Sequence, residues 1–179
     1  HRDLHSFPTR RSSDLFYRPL AEATGRDLSA AVSPRRERAL ARLEAFQARF
    51  RGLKLAYGLR MNNNYNADEL AYQGLGDLPA LTELGFDLTL LVQGPPDKRE
   101  KFGQMFQRRG LDLKFEMFAE PWILADLLTS GGFQAAVLAD FARSEAQKAG
   151  IPMLPVRRLE ACYQGAVDNT ALLSRLLGA

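Results

Sequence analysis

Residues 33–58, SPRRERALARLEAFQARFRGLKLAYG, hold a helix, a stop and a buried strand in direct succession, and this succession decides the fold. Ser33 is a candidate N-cap with Pro34 in the first helical position, where a missing N–H costs little. Ala39, Leu43, Phe46 and Phe50 recur at helical spacing and form one apolar stripe. Gly52 then stops the helix. Leu53 to Gly58 (LKLAYG) is too short for a helix of its own and reads as a first strand.

Working outward, the same alternation continues to the C-terminus. An Arg60-Met-Asn-Asn-Asn-Tyr65 loop leads to a helical stretch over about 66–84, broken near Gly74, Gly76 and Pro79 and ended by Gly85. Strands are expected at Leu88–Val92, Leu111–Met117, Phe133–Ala139 and Ile151–Val156. Between and after them, helices are expected over Asp97–Arg109, Pro121–Thr129, Arg143–Ala149 and about Ala166–Leu177. In the third strand Leu111, Leu113, Phe115 and Met117 alternate with Asp112, Lys114 and Glu116, so one face is partly wet, as suits a sheet edge. Strands joined by helical crossovers predict an α/β fold: a doubly wound, Rossmann-like parallel sheet of five strands with helices on both faces. The order 3-2-1-4-5 puts the half-wet strand at the edge. It also opens a crevice at the carboxyl ends of strands one and four, over the 58–64 and 139–143 loops.

The first fifteen residues, HRDLHSFPTRRSSDL, read differently: they resemble an in-frame translation of a common short-read sequencing adapter. On that reading the protein proper starts near Phe16 and an upstream part is missing. Residues 16–32 are then a linker or the remnant of an upstream domain, and 33–179 a C-terminal Rossmann-like domain. The only histidines, His1 and His5, lie in the adapter-like segment, and setting aside its three arginines and two aspartates lowers the net charge from +3 to +2. So small an excess does not argue for nucleic acid, although Arg35, Arg38, Arg42 and Arg49 fall near one helix face. A single cysteine cannot form an internal disulfide, and no apolar run or signal pattern implies a membrane span or secretion; the cytoplasm is the expected compartment.

Few motifs carry chemistry. Gly74-Leu-Gly-Asp-Leu-Pro79 nearly spells a dinucleotide fingerprint, but it follows a helical pattern rather than a strand and has Pro79 at the third glycine position. Phosphate loops, zinc-spaced Cys and His clusters and nucleophile elbows are missing from the sequence, so independent hydrolase or kinase chemistry is unsupported. Cys162 reads as a small buried hydrophobe or as a soft ligand. The loop after strand one combines Gly58, which permits close approach, the fixed charge of Arg60 and the amides of Asn62, Asn63 and Asn64; turn chemistry and ligand binding both account for it.

Strand one with Gly58-Leu59-Arg60, a helix ending Ala80-Leu-Thr-Glu-Leu-Gly85, Ala146-Gln-Lys-Ala-Gly-Ile-Pro152 and Tyr163-Gln-Gly165 together resemble the last domain of nitrogenase component 1 subunits, the alpha-type branch most closely. The resemblance spans about 52–177. It implies a subunit of a nitrogenase-like oxidoreductase, or a cofactor-assembly scaffold, that works with a sister component 1 subunit and an ATP-dependent iron-sulfur reductase. It also implies an iron-sulfur or related metallocluster in the full-length complex, with Gly58, Leu59 and Arg60 as a loop facing cluster or substrate and Gln164 as a pocket residue. One departure weakens the ligand set: Gln164 stands where the family's catalytic subunit has a cluster-ligating histidine, and an amide is a poor substitute for imidazole. No cofactor and no activity are therefore expected of this stretch alone. Two readings remain beside it: a small-molecule-binding doubly wound domain of glycosyltransferase-like kind, and a purely structural interaction domain.

Overall fold

A computed structural model describes residues 10–60, 78–108, 112–156, 159 and 162–178. Helix α1 (Arg10–Thr24) runs across the boundary expected at residue 15, and α2 (Ser29–Phe50) follows after a short turn. Then come β1 (Lys54–Arg60), α3 (Leu78–Glu83), β2 (Asp87–Gln93), α4 (Arg99–Arg108), β3 (Lys114–Phe118), α5 (Ile123–Ser130), β4 (Ala135–Leu138), α6 (Arg143–Lys148), β5 (Met153–Pro155) and α7 (Cys162–Leu176). The strands form one sheet, ordered β3-β2-β1-β4-β5 and parallel at every pairing. The doubly wound architecture expected from the alternation is the one present.

Element ends differ from the sequence reading where local hydrogen bonds outweigh composition. Helix α2 starts at Ser29, not Ser33, because the Asp27 carboxylate accepts the Ser29 N–H at 2.8 Å and the Leu28 carbonyl accepts from Ala31 and Val32. Pro34 thus lies inside the helix rather than at its first position. Its far end matches: Ala39, Leu43, Phe46 and Phe50 are all buried, and Gly52 turns the chain at φ +81°. Gly52 donates to the Gly85 carbonyl at 2.8 Å; Gly85, at φ +88°, ends α3, so the chain enters β1 and β2 side by side. The last helix begins at Cys162, four residues before the expected Ala166.

Alternation along the strands divides the core. Leu55, Tyr57 and Leu59 of β1, with Leu88, Leu90 and Val92 of β2, face the large apolar cluster under α2, α3, α4 and α7. Ala56 of β1, Leu91 of β2 and Ala136 and Leu138 of β4 face a smaller cluster under α5 and α6. Edge strand β3 alternates as expected: Lys114 and Glu116 are exposed while Phe115 and Met117 pack against the large cluster. Helix α1 rests on α2 and α7, with Tyr17 stacked on Tyr163 at a ring separation of 6.0 Å. Among the described residues no helix is long and apolar enough to cross a membrane.

Candidate functional site

A cleft opens at the carboxyl ends of the strands, on the α5/α6 face. The enclosed space is small, about 80 Å³, below the usual range for drug-sized ligands, so the cleft suits a small group. Its floor is Gly58, Leu91, Gln93 and Leu138; one wall is Phe118, Pro121 and Leu124, and the other runs through Ala139, Phe141, Ala142 and Glu145. Gly58 and Leu59 at the end of β1 and the 139–142 segment after β4 both line it; residues 61–64 of the loop expected there lie outside the described residues. Its position follows from topology: crossovers leaving β1 and β4 diverge to opposite faces and leave a gap between them.

Gly58 has two roles in this geometry. A β-carbon on it would come within 2.5 Å of Leu138 Cδ2, a buried side chain on the neighbouring strand. The missing side chain therefore lets β4 pack against β1, and the Leu138 side chain that fills the space becomes part of the cleft floor. Leu59 also borders the cleft, yet its side chain is buried in the large cluster on the other face. Arg60 pairs in register with Gln93 at the end of β1; the side chains of Arg60 and Cys162 lie outside the described structure. So do the asparagines at 62, 63 and 64, Tyr65 and the Gly74–Asp77 part of the near-fingerprint, all within residues 61–77. Gln164 is not part of the cleft: it is exposed in the first turn of α7, on the other helix layer, and donates to Asp168 Oδ1 at 2.9 Å.

Sequence reasoning missed Phe141 and Glu145. Phe141 is 56% exposed although it follows a fully buried strand. The Glu145 side chain is only 15% exposed. The Ser144 hydroxyl, donating to Oε2 at 2.7 Å, holds the Glu145 carboxyl below its ordinary range against the opposing push of burial. Its own backbone N–H and Lys148, whose Nζ is 3.9 Å from Oε1, act in the same direction as the hydroxyl. At neutral pH the cleft wall thus carries an anion. The signal for Phe141 was an apolar ring between Asp140 and Ala142 in an otherwise polar segment; Glu145 is one helical glutamate among several and had none.

The donors in this cleft do not fit a metallocluster. Among the described residues they are one carboxylate, one side-chain amide and backbone groups, whereas iron-sulfur chemistry takes thiolate or imidazole. Among the described residues no three His, Cys, Asp or Glu side chains converge to hold a metal ion.

Fold and cleft together define a five-stranded, doubly wound α/β domain with a small crevice at its topological switch point. No family model and no curated protein matches the sequence. Among solved structures the chain is similar to nitrogenase Cp1, determined at pH 6.5, with a TM-score of 0.65 and 16% sequence identity. The match covers 96% of this chain and 38% of that one, so the chain spans well under half of its neighbour's length. A likeness at this identity shows a shared nitrogenase-type fold.

Proposed function

We propose that the chain is a domain of a nitrogenase-component-1-like oxidoreductase subunit, or of a related cofactor-assembly scaffold. In this reading it supplies the wall that Gly58, Leu59 and Arg60 form toward cluster or substrate. It works beside a sister subunit and receives electrons from an ATP-dependent iron-sulfur reductase. The supporting observation is the fold agreement with nitrogenase Cp1 over nearly the whole chain. Because the described donors do not suit a metallocluster, its ligands come from elsewhere in the assembly, and this chain shapes and charges the surroundings. Backbone N–H groups at the end of β1 and the Arg60 guanidinium are the groups able to meet an anionic cluster or a carboxylate.

The test uses the complete protein purified with its partner subunit. The expected result is iron bound to the assembly and, for Arg60→Ala, an affinity for cluster or substrate lower by about 10-fold, as for one lost charge-assisted hydrogen bond. An assembly without iron, or an Arg60→Ala assembly with unchanged affinity and turnover, contradicts the proposal. The small-molecule-binding reading has one observation in its favour, the mainly apolar cleft, and that cleft can be tested directly.

A further inference from the structure

The α5/α6 cleft has a chemistry of its own, distinct from anything an anionic cluster would require. Its floor and one wall are apolar: Leu91, Leu138, Phe118, Pro121 and Leu124 leave water few polar partners. Apolar surface of this kind rewards a ring or short alkyl chain at about 25 cal/mol per Å² removed from water. On the opposite wall stands Glu145, the one charged side chain among the described lining residues, mostly covered and held by the Ser144 hydroxyl at 2.7 Å. The Lys148 ammonium, 65% exposed, is 3.9 Å from Oε1, beyond hydrogen-bonding distance. An incoming cation can approach that oxygen with solvated Lys148 as its only described competitor. Phe141, 56% exposed, borders the mouth of the same cleft.

We propose that this cleft is a binding site for an organic cation: a protonated amine carried on an aromatic ring or short aliphatic body. The body lies over Leu91, Leu138 and Leu124, and the ammonium donates to Glu145 Oε1. Gln93, whose amide reaches toward the Ala119 carbonyl at 3.5 Å, lies on the floor and can accept a second N–H through its own oxygen. The site stands on the cleft's geometry and does not depend on the nitrogenase-like assembly proposed above.

Three probes of one shape test it by calorimetry on the present chain: 2-phenylethylammonium, 2-phenylethanol and phenylacetate. The ammonium should bind about 5- to 10-fold more tightly than the alcohol, the ratio set by one partly screened charge-assisted hydrogen bond, and phenylacetate should bind most weakly. Glu145→Gln, with unchanged circular dichroism and melting temperature, should bring ammonium and alcohol to equal affinity. Phe141→Ala should weaken all three while keeping their order. Equal affinity of ammonium and alcohol for the unmodified chain, an ammonium preference that survives Glu145→Gln, or no detectable binding of any probe at 10 mM (about the weakest affinity of interest) overturns the proposal. A preference for phenylacetate also overturns it and moves charge recognition to Arg60.

Discussion

The two faces of the sheet are built from the same strands and have opposite characters. On one, Leu55, Tyr57 and Leu59 of β1 meet four helices and nothing on the strand reaches solvent. On the other, the alternate positions include Lys54, Ala56 and Gly58, and among the described residues α5 and α6 cover them. Large side chains seal the first face. Small ones thin the second, so the switch-point gap stays open as a cleft. Stability and ligand chemistry are thereby separated within one 7-residue strand: positions facing α2 and α7 hold the fold, and those facing α5 and α6 shape a site.

The separation is most easily broken in the sealed face. Leu90→Ala or Leu173→Ala, both at 0% exposure, should cost about 2–5 kcal/mol in urea unfolding, because each leaves a cavity as well as losing burial. Phe141→Ala at the cleft mouth should stay within about 0.5 kcal/mol of the parent. Comparable losses at both places would erase the distinction. Gly58→Ala comes next: displacing buried Leu138 should cost about 1–2 kcal/mol, and because Leu138 lines the cleft, probe binding should fall too. A variant as stable as the parent with full binding would show that Gly58 is not needed for strand contact.

Smaller effects follow at the surface. The Asp27 carboxyl is held below its ordinary range by hydrogen bonds from the Ser29 side chain and N–H. A lowered folded-state value means the stabilisation is complete above the ordinary carboxylate range and lost as pH falls below that range through the lowered value. The protection factor of the Ser29 amide, its exchange rate corrected for the intrinsic pH dependence, should therefore fall on acidification, a response that Asp27→Asn abolishes. Breaking the exposed Lys114–Asp87 pair, 2.8 Å apart, should change stability by less than about 1 kcal/mol. Deleting residues 1–15 should move the melting midpoint by about a degree or less, since chain termini generally carry little packing; a large loss would mean that the start of α1 is part of the folded unit.

What was legible in the sequence was periodicity. The stripe of Ala39, Leu43, Phe46 and Phe50, the short buried strands and the half-wet β3 were enough to order the sheet, since right-handed crossovers leave few alternatives. The cleft's place followed from that order. Its chemistry did not: Glu145 reaches the β1 and β4 ends only through the turn of α6, and Phe141 is exposed by the short helical turn Asp140–Ala142 that no pattern announced. Gln164, expected as a pocket residue of the full-length complex from a motif resembling Tyr-His-Gly, sits on the α7 layer away from this cleft, hydrogen-bonded along its own helix. Gly58 was read as room for a ligand; the space is filled by Leu138.

The most direct test of this division is nuclear magnetic resonance of the labelled chain titrated with 2-phenylethylammonium. Saturable shifts are expected at Gly58, Gln93, Leu138, Phe141 and Glu145, with Leu43, Phe46, Gln164 and Leu173 unmoved on the opposite layer. Shifts centred on α7 around Gln164, or spread evenly over both faces, would contradict it.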